Sequence, residues 1–155
     1  YEMHEVGFNC RITDFQCALG SSQLKKLDSF VENRREIAKQ YNNLFSNIEF
    51  IKTPKVQNTV EHSYHLYPLQ IDFKKLPLAK VEFFGKMKNA GIHLQVHYIP
   101  IHIQPFYQKN YEFEPGDFPV SESFYRNEFS LPIYPNLSVD DVTFVANKIL
   151  EFISS

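Results

Sequence analysis

The 155 residues, 43% apolar and 22% charged, make up an ordinary globular chain long enough to close one sizeable core. A formal net charge of -2 and the lack of any long basic run exclude a nucleic-acid binder driven by bulk electrostatics. No apolar stretch approaches the roughly 20 residues of a bilayer-spanning helix, which argues against a membrane protein, and two cysteines are too few for a disulfide framework.

The first residues, Tyr1-Glu2-Met3-His4-Glu5, are the opposite of a charged-then-apolar signal peptide. A cytoplasmic protein with reduced Cys10 and Cys17 is expected. The chain starts at Tyr1 without an initiator methionine, so a piece of a longer protein is expected as well.

From Thr13 to Phe45 apolar residues recur at helical spacing, from Phe15, Ala18 and Leu19 through Leu24, Leu27 and Val31 to Ile37, Ala38, Tyr41, Leu44 and Phe45. Thr13 is a plausible N-cap. Gly20-Ser21-Ser22 lies inside the run and costs helix propensity, which predicts a bend or two consecutive helices divided there. Residues 63–73 alternate and are rich in strand formers; Pro68 assigns this strand to a sheet edge or a bulge.

A helix is expected from Leu78 to Ala90, closed by Gly91, with another strand over Ile92 to Tyr98. Two prolines and mixed aromatics make Ile99 to Tyr107 an ordered loop. A short helix from Pro119 to Asn127, an extended run from Phe129 to Tyr134 and a last helix opened by Ser138 and Asp141 complete the pattern. Helices among a few separated strands predict a small α+β or α/β domain with helices packed on one face of a short sheet.

Several chemistries fail on these residues. His62 and His65 would face opposite sides of a strand, and only His93 and His97 would share a face, which is a poor metal set. Nothing places Cys10 or Cys17 beside a histidine, so both read as buried structural cysteines. The five glycines are scattered, which excludes a Gly-rich phosphate loop.

Two segments remain. Gly7-Phe8-Asn9-Cys10-Arg11 leads into the first helix, where backbone N–H groups, an amide and a guanidinium could meet an anion such as phosphate. An Asn and an Arg before a helix are more often a turn residue and a surface charge. His97-Tyr98-Ile99-Pro100-Ile101-His102, followed by Gln104-Pro105-Phe106-Tyr107, offers flat faces and polar tips for a sugar or base, or else packs over the core as a crossover loop.

At both segments the sequence resembles the DegT/DnrJ/EryC1/StrS-type family of pyridoxal 5'-phosphate (PLP) aminotransferases and dehydratases that act on nucleotide-linked deoxysugars. The likeness runs through Gly7-Phe8-Asn9-Cys10-Arg11, with Cys10 in place of the usual Tyr, then Ala18-Leu19-Gly20 and Gln23-Leu24. Arg34-Arg35, His97 to His102 and Ser130-Leu131-Pro132-Ile133 follow in the family's order, so the whole chain is covered.

The resemblance implies the small C-terminal domain of a fold-type-I aminotransferase over residues 1–155, with 1–20 a connecting segment from a large PLP-binding domain. It implies transfer of an amino group, from glutamate by family habit, to the 4-keto carbon of a UDP-linked 4-keto-6-deoxy-N-acetylhexosamine, as in the pseudaminic acid branch, and a homodimer with active sites at the interface.

By the same resemblance Asn9 and Arg11 bind the cofactor, while His97, Tyr98, His102 and Tyr107 border the sugar. The lysine that carries PLP would lie upstream in a Ser-x-x-x-x-Lys segment. Ser21 and Lys26 match that spacing, but they sit in a helical pattern with no glycines directly after Lys26. The chain alone is therefore expected to be catalytically silent. The competing reading is a self-standing module that grips a sugar or a peptide with its aromatic loop.

Overall fold

The computed structural model describes residues 7, 8 and 10–154. Helix α1, Asp14–Leu24, opens with a capping box: the Gln16 N–H donates to Thr13 Oγ1 at 3.3 Å, and the Thr13 N–H donates to Gln16 Oε1 at 3.0 Å. Helix α2 follows over Leu27–Phe45. Two helices replace the long run, as expected, but the break falls at Lys25-Lys26 rather than at Gly20-Ser21-Ser22. Gly20 has open space where a Cβ would stand and keeps its helical place. The ladder slips at Lys26, whose N–H reaches only three residues back, to the Gln23 carbonyl.

The apolar stripe also divides at that break. In α2 the buried residues are Ile37, Ala38, Tyr41 and Phe45, one helical face, whereas α1 buries none. The α2 face packs on α6, Val139–Ser154, which buries Val142, Val145, Ala146, Ile149 and Ile153. Ser138 caps α6 as expected: its hydroxyl accepts from the Asp141 N–H at 3.1 Å, while the Asp141 carboxylate accepts from the Ser138 N–H at 3.2 Å.

Three short strands form one antiparallel sheet in the order β1, β2, β3, with β1 at Ile51–Lys52, β2 at Tyr67–Ile71 and β3 at Glu128–Leu131. The two-residue β1 left no alternation to read. β2 is shorter than expected and central, not an edge. Pro68 is tolerated there because β1 pairs only with Ile71 and Gln70, so at Pro68 the ladder has a strand on one side only.

Register divides the sheet by chemistry. Tyr67, Leu69, Ile71, Phe129 and Leu131 face the core, while Pro68, Gln70, Glu128 and Ser130 share the other face. On the core side Tyr41 and Tyr67 lie 5.0 Å apart between ring centroids, and each hydroxyl has an acceptor: Pro132 O at 3.1 Å for Tyr41, Asn42 Oδ1 at 2.6 Å for Tyr67. Burial pushes both phenols well above their ordinary range.

Helix α3, Lys80–Asn89, ends as the glycine signalled. The Gly91 N–H donates to Lys88 O and the Ile92 N–H to Met87 O, both at 2.9 Å, with Gly91 at φ 81°. Beyond it, Ile92 to Tyr98 is not a strand. Its one ladder contact is the bridge Gln95–Ser130, where the Ser130 N–H donates to Gln95 O at 2.7 Å. The presumed loop Ile99 to Tyr107 instead contains a 3-10 turn, Ile101–Ile103, and the start of helix α4, Pro105–Tyr111. Pro105 is its first residue, where a missing N–H costs nothing. Helix α5, Pro119–Asn127, matches the expected bounds and runs straight into β3, which begins one residue early and stops at Leu131 rather than Tyr134.

Candidate functional site

Two histidine–glutamate clusters organise the segment after α3. The first lies on the polar face of the sheet. Glu128, fully buried, accepts from the His97 backbone N–H at 3.0 Å and from Ser130 Oγ at 3.1 Å, and Ser130 Oγ stands 3.0 Å from His97 Nδ1. Lys80 closes the cluster from α3, with Nζ donating to the main-chain oxygens of Tyr125 at 2.8 Å and Glu128 at 2.7 Å. Burial draws the Lys80 amine below its ordinary value, and the Glu128 carboxylate opposes that shift.

The second cluster holds the 3-10 turn to α5. His102 is buried, and its Nε2 lies 3.0 Å from Glu122 Oε1; the same oxygen accepts from the Gly116 N–H at 2.6 Å, while Arg126 reaches Oε2 at 3.4 Å. Gly116 makes that approach from φ 108°, a conformation that side-chain-bearing residues rarely adopt. The Gly116 N–H first, then His102 and Arg126, hold the Glu122 carboxyl below the usual carboxylate value.

A folded-state pKa below the unfolded value means stability that is full above the unfolded pKa, about 4.3 for Glu, and that is lost as pH falls through the folded value. Asp141, lowered by its Ser138 hydrogen bonds, acts in the same direction. Glu122→Gln is therefore expected to cost stability at neutral pH and progressively less below about pH 4. Urea midpoints of both proteins from pH 7 to pH 3 check this; a cost independent of pH would contradict it.

From His102 a run of rings leads outward. His102 meets Phe118 at 4.8 Å, Phe118 meets Phe113 at 5.7 Å, Phe113 meets Tyr111 at 6.3 Å and Tyr111 meets Tyr107 at 5.8 Å, the last two pairs stacked. Tyr107 is exposed at its outer end. Tyr98 is 74% exposed, with its ring edge-on to His97 at 4.9 Å. The expected sugar-bordering residues thus fall into two pairs. His97 and His102 are held inside by carboxylates, and Tyr98 and Tyr107 present their rings to solvent.

The expected cofactor segment is different. Asn9 lies outside the described residues. Arg11 is exposed and has no hydrogen bond or ion pair among them. The N-terminus of α1 is a poorer anion receptor than the sequence implied, because the capping box already uses the Thr13 and Gln16 N–H groups and Asp14 adds a negative charge. An exposed guanidinium with no partner among the described residues is the donor that still suits a phosphate. Lys26 is exposed at the junction of α1 and α2 rather than inside a helix. Cys10 and Cys17 are exposed, not buried: Cys17 lies on α1, which buries no residue, and Cys10 precedes that helix.

The sequence pattern of the DegT/DnrJ/EryC1/StrS aminotransferase family matches residues 1–150. The chain belongs to this family. It is 42% identical to the uncharacterized protein MJ1066 of Methanocaldococcus jannaschii, covering 99% of this chain and 40% of that protein. It is 35% identical to the UDP-4-amino-4,6-dideoxy-N-acetyl-beta-L-altrosamine transaminase of Campylobacter jejuni, over 98% of this chain and 40% of that one.

In structure it resembles Helicobacter pylori PseC, an aminotransferase involved in the biosynthesis of pseudoaminic acid, with TM-score 0.86, 31% identity and coverage of 99% of this chain and 40% of that chain. It also resembles the PLP-form of the putative sugar aminotransferase Spr1654 of Streptococcus pneumoniae, with TM-score 0.86, 26% identity and coverage of 99% and 39%. The chain thus spans about 40% of the length of the relatives it matches.

Sequence reasoning missed Glu122, Glu128 and Lys80, and noticed Ser130 only as part of a motif. Glu122 and Arg126 stand four apart on a helix, a usable signal. Glu128 opens an apolar strand, where a carboxylate has no reason to be unless something inside receives it.

Proposed function

We propose that the chain is the C-terminal domain of a cytoplasmic, homodimeric, PLP-dependent aminotransferase that moves an amino group from glutamate to the 4-keto carbon of a UDP-linked 4-keto-6-deoxy-N-acetylhexosamine. The observation that carries the reading is the pair of solvent-facing rings: Tyr98 lies edge-on to His97, which Glu128 holds, and Tyr107 ends the run of rings that starts at His102, which Glu122 holds. Flat faces over a fixed polar layer suit a sugar nucleotide.

In this account Tyr98 and Tyr107 stack on the ligand and exclude water from one side of it. His102 works through position: Glu122 and Phe118 anchor the turn from which α4 and Tyr107 emerge. Arg11, with Asn9, binds the phosphate of PLP, and the cofactor when bound supplies the electron sink for amine transfer.

The uncovered apolar side chains of the α1 region, Phe8, Ile12, Phe15, Leu19, Leu24 and Leu27, fit a segment that joins this domain to a larger one and to a partner subunit. Calorimetric titration of the full-length protein with a UDP-linked N-acetylhexosamine tests the ligand. Tyr98→Ala and Tyr107→Ala are each expected to weaken binding about 5- to 30-fold, as the loss of about 1–2 kcal/mol of ring contact would. Equal affinity in both variants would refute a role for these rings.

A further inference from the structure

The buried Glu128 is unexplained by packing: a carboxylate with no accessible surface, on a three-stranded sheet, is stable only if its oxygens are fully engaged. They are engaged in a way that fixes a proton elsewhere. A carboxylate only accepts, so the Ser130 hydroxyl, 3.1 Å from Glu128 Oε1, spends its single proton on that oxygen. Ser130 Oγ can then only accept from His97 Nδ1, 3.0 Å away, so Nδ1 must carry the hydrogen. In the neutral ring Nε2 is left with a bare lone pair. Nε2 has no hydrogen-bond partner among the described residues, and the side chain is 14% exposed beside the open ring of Tyr98.

We infer that Glu128, acting through Ser130, is a positioning residue that fixes His97 in the Nδ1–H form and presents Nε2 as a hydrogen-bond acceptor to a donor group, a hydroxyl or an amide N–H, of the bound sugar nucleotide. This rests on the ligand class proposed above, and it adds a polarity: the site accepts a hydrogen bond at His97 rather than donating one. The His97 main-chain N–H, also held by Glu128 at 3.0 Å, fixes the ring's base at the same time. One carboxylate thus sets both the position and the tautomer of the histidine.

Glu128→Gln reverses the polarity with little change of shape. The amide oxygen must still accept from the His97 N–H, so its NH2 faces Ser130 and donates to Oγ. The serine proton then turns to His97 Nδ1, and the ring hydrogen moves to Nε2. The test uses the full-length protein labelled with ¹⁵N-histidine, with His97 assigned by His97→Gln.

The wild type at neutral pH is expected to show protonated Nδ1 and bare Nε2, and Glu128→Gln the opposite. The KM for the sugar nucleotide is expected to rise about tenfold in that variant, one hydrogen bond's worth. A wild-type ring protonated at Nε2, or at both nitrogens, overturns the inference without any variant, so a poorly folding Glu128→Gln leaves it testable. A switched tautomer with unchanged KM also overturns it, because the relay would then be structural only. Failure of the wild type to bind any UDP-sugar, with the Nδ1–H form intact, would instead fault the ligand class.

Discussion

Truncation of Phe129 to alanine is expected to cost about 3–5 kcal/mol of folding stability, the range for removing a buried aromatic ring. Phe129 has no exposed surface and touches three other rings, Phe83 at 5.3 Å, Phe84 at 5.9 Å and Phe73 at 6.2 Å between centroids. It stands in β3 opposite Leu69, and so ties α3 to the sheet. The cavity would open where α3 meets the sheet, and neighbouring rings are too rigid to close it. Val81→Ala, at a residue 85% exposed, should stay within about 0.5 kcal/mol. Denaturant unfolding of the two variants checks both; a Phe129→Ala cost under about 1 kcal/mol would contradict this picture of the core.

Arg11→Ala in the full-length protein is expected to weaken PLP retention by about one to two orders of magnitude, since a hydrogen bond to a charged group contributes about 1.5–3 kcal/mol. The apo-protein should unfold at nearly the same temperature, because Arg11 is exposed and makes no hydrogen bond or ion pair among the described residues. Asn9→Ala should act in the same direction. Equilibrium dialysis against PLP, with apo-protein melting as the control, separates a phosphate ligand from a surface charge. Unchanged PLP affinity would remove Arg11 from the site.

The parts of the fold legible in the sequence were those governed by local chemistry. The Ser138–Asp141 cap, the Gly91 helix end and the Pro119 helix start all depend on neighbours within a few residues, and each stands where the pattern put it. What depended on distant partners was misread. Pro68 occupies a central strand because β1 is too short to reach it, a fact invisible from the alternation around Pro68. The stretch from Ile92 to Tyr98 has strand-like residues but makes only one bridge, because His97 turns to Glu128 instead of continuing the ladder.

The candidate site divides in the same manner. Tyr98, Tyr107, His97 and His102 drew notice by their residue types, whereas the carboxylates that hold the histidines lie 31 and 20 positions away in the chain. Single-sequence periodicity carries no information about such pairs. Cys10 and Cys17 were assigned to a core that α1 does not enter.

The most direct test of the account is the fate of the amino nitrogen. The full-length protein, loaded with PLP, is incubated with ¹⁵N-glutamate and a UDP-linked 4-keto-6-deoxy-N-acetylhexosamine, and the sugar product is analysed by mass spectrometry and NMR. The account predicts a 4-amino sugar carrying ¹⁵N at C4. Recovery of the keto-sugar unchanged, or of a dehydrated sugar without the label, would contradict it.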